Sequence, residues 1–391
     1  MRSEPTIVDA LALATAVADD LVVATARDTH AAISRRAHGV ARLGLGPAGL
    51  PAETLHRGVA ALVYGAVGLS FRGASAGLAR LAEAGVGPGL ESSARGRFVA
   101  SAVNGLIGEE LRRERPRLAI EMGVRHEGRD VVLTPDGVAA AFPEATGRLV
   151  VFLHGLCENE DYWRLRRDTT GSTYGETLAR RGWTPVYLRA NTGLPLRENG
   201  VVLASLMQRL VDAWPVGVTR IALVGHSLGG LVMRASSAVV AEGDAPAAWT
   251  GLVSDVVTLG TPHLGSWFAV GADRASRRMA RLPEVAAFGR VIDRQAPGIR
   301  DLVEGLAEDV PPLPHARYRL VSATLTRSPR HPVASAVGDL LVTPRSAVGQ
   351  DRRGADLFPG AEVLHLPRTD HFGLLNHPDV HAALARWLGE G

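Results

Sequence analysis

The stretch Arg220-Ile-Ala-Leu-Val-Gly-His-Ser-Leu-Gly-Gly230 decides the reading of this chain. Ile221 to Val224 is a short aliphatic run of the kind that fills a buried strand. Leu231, Val232, Ala235 and Val239 then recur at helical spacing. Ser227 therefore falls on a strand-to-helix turn, with Gly225 and Gly229 two residues to either side. Glycines there remove the Cβ groups that would crowd a sharp turn, so the serine can hold a strained backbone and expose its hydroxyl. G-x-S-x-G alone is weak in a chain with 44 glycines; the strand before it and the helix after it give it meaning.

Working outward, 391 residues with 46% hydrophobic content can bury a large core and have room for an extension beyond one domain. The net charge of +3 says little about partners, and no nucleic-acid partner is expected. All 43 basic residues are arginine, which excludes Schiff-base chemistry, a Walker lysine and a lysine base. Cys157 is the single cysteine and can form no internal disulfide. Glu4, Asp9, Asp19 and Asp20 interrupt any secretory h-region, and the apolar run Val59 to Phe71 is shorter than the ~20 residues a bilayer demands. The expectation is a cytoplasmic protein, with association at a lipid surface left open.

Residues 1–115 read as a helical region with apolar faces, for which the expected roles are mutual packing, a lipid surface or self-association. Gly44-Leu-Gly-Pro-Ala-Gly49 matches a nucleotide-loop pattern, but it follows a helical segment and contains proline, so no nucleotide site is expected. Residues 116–391 read as the second region. Leu118–Val124 and Asp130–Leu133 predict a hairpin, with Pro135-Asp-Gly137 as a further turn. From Arg148 strands and helices alternate, the signature of an α/β fold with a mostly parallel sheet. Strands are expected at Leu149–Leu153, Thr184–Leu188, Ser254–Leu259, Tyr318–Ser322 and Glu362–Leu366, with helices at Glu198–Trp214 and Ala382–Leu388.

Five stretches carry a resemblance, in this order along the chain: His154-Gly-Leu156, Gly225-His-Ser-Leu-Gly-Gly230, Leu259-Gly-Thr-Pro-His-Leu-Gly265, Asp339-Leu-Leu-Val-Thr-Pro-Arg-Ser-Ala347 and His371-Phe-Gly-Leu-Leu375. Together they resemble the lipase and esterase branch of the α/β-hydrolases. The resemblance implies a Ser…Asp…His order with Ser227 as nucleophile, Asp339 as acid and His371 as base. It also implies that the backbone N–H groups of Leu156 and Leu228 bind an oxyanion, and that no cofactor is needed. Rival bases are His365 and His377, and rival acids Asp351, Asp356 and Asp370. His154 and His226 read as structural. Leu340 stands where the family pattern has glycine. No His, Cys, Asp and Glu spacing suggests a metal site.

Residues 265–302 read as an insertion over the site, a candidate lid, in which Trp267 and Phe268 would line an apolar acyl pocket. Thr192–Asn199 is expected to join the same mouth. The reading is a serine-dependent hydrolase of carboxylic esters or lipid-like small molecules. Acyl transfer, amide or polyester cleavage on the same triad, and a non-catalytic binding protein on this fold are the alternatives.

Overall fold

The computed structural model describes residues 5–18, 50–87, 89–239, 247–265, 297–298, 301, 305–306, 310–328, 338–351 and 353–389. It divides into two compact units, Met1–Val103 with Gly271–Gln295, and Asn104–Val270 with Ala296–Gly391. The division falls inside the helix Ala94–Glu114 instead of after residue 115.

In the smaller unit, α1 (Ile7–Ala18) packs along α2 (Leu50–Glu83). Asp9 closes the start of α1 by accepting from the Thr6 N–H at 2.7 Å, and Ser75 of α2 donates to the Ala12 carbonyl at 2.9 Å. The apolar run that begins at Val59 is interrupted at Arg72, but the helix is not. Its segment Gly58–Ala82, 25 residues, is long and apolar enough to cross a membrane by length and composition. The sequence expectation, drawn from the uninterrupted run alone, was too short. Leu62 and Leu69 are 73% and 67% exposed, and Gly58, Gly65, Gly73 and Gly77 have no described neighbour where a Cβ would stand. Those glycines therefore do not serve close helix approach among the described residues.

The larger unit begins with the second half of α3 (Ala94–Glu114). Its sheet has the order β2-β1-β4-β3-β5-β6-β7-β8. The strands are β1 (Gly123–His126), β2 (Arg129–Asp130), β3 (Arg148–Leu153), β4 (Thr184–Arg189), β5 (Arg220–His226), β6 (Val253–Leu259), β7 (Arg317–Thr324) and β8 (Glu362–Pro367). β3 to β8 pair in parallel; β1 runs antiparallel to both β2 and β4. A β1–β2 hairpin is present but shorter than expected, with its first strand shifted toward the turn: residues 118–122 and 131–133 are not strand. Pro135-Asp-Gly137 does not turn. It opens α4 (Pro135–Ala141), because Thr134 caps the Gly137 N–H and proline suits the first helical position.

Period-two alternation distributes the β3 and β5 side chains between two cores. Leu149, Val151, Leu153, Ile221 and Leu223 face one side, where Leu203, Met207 and Leu210 of α6 (Leu196–Asp212) and Leu231 of α7 (Leu228–Ser237) cover them. Val150, Phe152, Ala222 and Val224 face the other, beneath Tyr174 and Leu178 of α5 (Tyr174–Ala179) and Val380, Leu384 and Trp387 of α8 (Pro378–Trp387). Full burial of each such aliphatic chain contributes roughly 1.5–3 kcal/mol. The result is an α/β fold carrying an N-terminal helical extension, and its rigid centre holds the carboxyl ends of β3, β5 and β6 side by side.

Candidate active site

Ser227 sits between β5 and α7 with φ +51° and ψ −123°, a backbone conformation that L-residues avoid. Its N–H donates to the Leu259 carbonyl at 2.9 Å, which ties the turn to β6. A Cβ at Gly229 would strike the Leu153 carbonyl oxygen, so α7 approaches β3 only because that residue is glycine. Leu228 is the first residue of α7. Its N–H is among those that lack an intrahelical acceptor, at the positive end of the helix dipole.

The loop that carries His371 follows β8. His371 Nδ1–H donates to Asp339 Oδ2 at 2.8 Å, and the His371 N–H donates to the Asp339 carbonyl at 2.9 Å. The remaining carboxylate oxygen, Oδ1, accepts from the N–H groups of Leu341 (3.0 Å) and Val342 (2.8 Å). Both side chains are buried, and His371 Nε2 has no hydrogen-bond partner among the described residues. Gly260 at the end of β6, with φ +58°, makes room for the pair. A Cβ there would lie 2.6 Å from Leu374 Cδ1 and 3.2 Å from both Asp339 Oδ2 and His371 Cε1.

Leu340 has φ +93°, so a leucine occupies the conformation for which the related pattern uses glycine. That strain costs of order 1–3 kcal/mol, while a glycine would lose roughly 0.5–1 kcal/mol in chain entropy. Leu340→Gly should therefore be about 1 kcal/mol more stable in urea unfolding, with turnover unchanged. A loss of stability would show that the leucine side chain, half exposed as it is, holds the turn.

The rival residues are engaged elsewhere. His365 bridges Ser322 (3.0 Å) and Thr324 (3.1 Å) across β7 and β8, and His377 caps α8 through the Asp379 N–H. Asp351 accepts from the Arg353 and Ala355 N–H groups, Asp356 from Phe358, and Asp370 from Gly373. His154 Nδ1–H donates to the Gly155 carbonyl (2.9 Å), and its Nε2 accepts from the Ala190 N–H (3.1 Å). Burial pushes its pKa down, so it is a neutral brace for the loop. Trp267 and Phe268, with most of the candidate lid, lie outside the described residues.

The loop after β3 lies against the serine, since a Cβ at Gly155 would be 3.0 Å from Ser227 Cβ. The half-buried Leu156 follows, then Cys157, whose N–H donates to Thr192 Oγ1 at 3.1 Å. Thr192 thus braces this loop from the segment expected at the mouth. Burial, helped by the Glu158 charge, pushes the Cys157 thiol up to about 11, so it is no thiolate nucleophile near neutrality.

Two residues of the site were not legible as such. Phe372 is 44% exposed with its ring 5.8 Å from that of His371, an apolar surface beside that imidazole. A shallow cavity of about 530 Å³ on the flank of this loop includes Phe372, Arg166 and Arg368 but not Ser227, Asp339 or His371. Glu158 accepts from the Gly155 N–H (2.8 Å) and from His226 Nδ1–H (3.0 Å), with both side chains fully buried. Burial alone would raise the Glu158 carboxyl; the His226 charge and hydrogen bond outweigh it, and the carboxyl lies below its usual range. Burial would likewise lower His226, but Glu158 outweighs it and the imidazole lies above its usual range.

Linkage fixes the sign of the pH effect. The raised His226 contributes stability that is full below its ordinary value of 6.5 and is lost as pH climbs through the folded value. The lowered Glu158 contributes above its ordinary 4.5 and loses that as pH falls through its folded value. Thermal unfolding of the wild type should therefore decline from pH 6.5 upward more steeply than that of Glu158→Gln, in which the strongest influences that raise His226, the Glu158 charge and hydrogen bond, are gone. Parallel curves for the two proteins would refute this.

Residues 143–274, about a third of the chain, match the DUF676 family model, described as "Putative serine esterase". A triacylglycerol lipase of Burkholderia plantarii is 31% identical over 154 residues, 36% of this chain and 37% of that one. A triacylglycerol lipase of Pseudarthrobacter phenanthrenivorans is 31% identical over 137 residues, 32% of this chain and 36% of that one. The chain thus spans little more than a third of the length of these curated relatives. A Bacillus licheniformis lipase structure in its mature form aligns over 62% of this chain and 91% of its own, at 19% identity and a TM-score of 0.43. Over these stretches the chain is similar to serine esterases and triacylglycerol lipases.

Proposed function

We propose that the protein hydrolyses carboxylic esters with an apolar acyl part, through a Ser227–His371–Asp339 triad and an acyl-enzyme. The observation that carries this is the buried His371–Asp339 pair, joined at 2.8 Å, whose outer nitrogen is left unengaged and whose imidazole lies 4.8 Å from the ring of His226, the residue before the strained Ser227. His371 Nε2 accepts the Ser227 proton as the hydroxyl attacks the ester carbonyl, and later returns it to the leaving alcohol. Asp339, itself fixed by two backbone N–H groups, holds the imidazole in the tautomer that leaves Nε2 free. The N–H groups of Leu228 and Leu156 receive the developing oxyanion. Exposed Phe372, with Leu341 partly exposed near Asp339 in the chain, offers an apolar surface for the acyl chain. The serine esterase family match and the two lipase relatives support the same reading.

The test is labelling with a fluorophosphonate, the modified residue being located by mass spectrometry. Label on Ser227 is expected. Folded protein that takes no label, or takes it on another serine, overturns the assignment.

A further inference from the structure

We propose that Glu158 and His226 are positioning residues, an ion pair that fixes the loop after β3, the Ser227 turn and the His371 loop in one geometry. This rests on the reading of Ser227 as the nucleophile. Glu158 Oε2 takes the Gly155 N–H at 2.8 Å and His226 Nδ1–H at 3.0 Å. On its other side His226 Nε2 faces the His371 carbonyl oxygen at 3.3 Å. A carboxylate and a carbonyl can only accept. His226 therefore makes both contacts only when both ring nitrogens carry hydrogen, as an imidazolium whose charge Glu158 balances.

Packing alone does not call for such a pair, since apolar residues of similar volume usually serve a core as well or better. Its position shows what it does. Gly155 precedes Leu156 and lies against Ser227, while His226 precedes Ser227 in the chain. The His226 ring is 4.8 Å from that of His371, 6.3 Å from Phe372 and 6.5 Å from Trp163. The loop after β3 needs holding, because Cys157 stands at φ +61°. One carboxylate thus sets the spacing between an oxyanion donor, the nucleophile and the base. A misplacement of about 1 Å in such a constellation can reduce turnover roughly 10²-fold.

Glu158→Gln separates charge from shape. Its amide oxygen can still accept where the carboxylate did, but a neutral His226 carries one ring proton and can donate to only one of its two acceptors. On p-nitrophenyl butyrate, kcat should fall about tenfold or more with KM within about twofold, and fluorophosphonate labelling of Ser227 should slow by a similar factor. In the wild type, ¹⁵N NMR of the histidines, with His226 assigned by its loss in His226→Gln, should show both of its nitrogens protonated at pH 7. This reading stands even if Glu158→Gln fails to fold. A folded Glu158→Gln with kcat and labelling rate within twofold of wild type overturns the proposal, as does a singly protonated His226 in the wild type. If wild-type Ser227 takes no label while His226 is doubly protonated, the nucleophile assignment has failed, and the positioning role with it. The ion pair itself would still stand.

Discussion

Ser227→Ala is expected to lose ester turnover by about 10⁶-fold, in line with removal of the nucleophile from other serine triads, while its unfolding free energy stays within about 0.5 kcal/mol of wild type. The two halves of this expectation have separate causes. The bond that ties the turn to β6 runs from the Ser227 backbone N–H to the Leu259 carbonyl and survives the substitution. The strained φ and ψ survive as well, because alanine retains the Cβ. Only the oxygen is removed, and the proposed chemistry needs it as the attacking atom. Initial rates on a soluble p-nitrophenyl ester, beside urea unfolding of the same preparation, measure both. Substantial turnover by purified Ser227→Ala would mean that another group attacks.

The second large effect concerns the acid. Asp339→Asn should reduce kcat by about 10⁴-fold, as the corresponding change does in a serine protease. The surroundings explain how. Oδ1 accepts from the Leu341 and Val342 N–H groups, so the asparagine places its carbonyl oxygen there and turns its NH₂ toward His371. Nδ1 must then accept, the ring proton moves to Nε2, and Nε2 can no longer take a proton from Ser227. Asp351→Asn and Asp356→Asn should leave kcat within about twofold, because each carboxylate only closes its own local turn. A larger loss in either of those two would mean that the acid has been misassigned.

The fold was legible where period and punctuation agree. The strands from Leu149 to Leu366 are short runs rich in apolar residues and bounded by turns, and each is found within a residue or two of its expected place. Pro135-Asp-Gly137 was misread because proline and aspartate favour the first turn of a helix as strongly as they favour a reverse turn. The Thr134 cap decides between them. The length of α2 was missed because Arg72 ends the apolar run without ending the helix. His371 and Asp339 could be found because the order of the five stretches restricts where a base and an acid can fall, and the structure places them in contact. Glu158 could not be found that way. It is one acid in a loop, and its partner His226 is 68 residues further along; only the folded sheet edge brings them together.

The conformation of Ser227 reaches beyond catalysis. A φ of +51° with ψ −123° stores strain of order 1–3 kcal/mol in the turn between β5 and α7, and the residue best able to release it is glycine. If Ser227 is the nucleophile proposed above, thermodynamic stability and activity select for different residues at this position. A screen of random variants that scores only expression or melting temperature would be free to discard the serine. Any programme to harden this protein against heat has to be scored on turnover at every round, or leave position 227 out of its library.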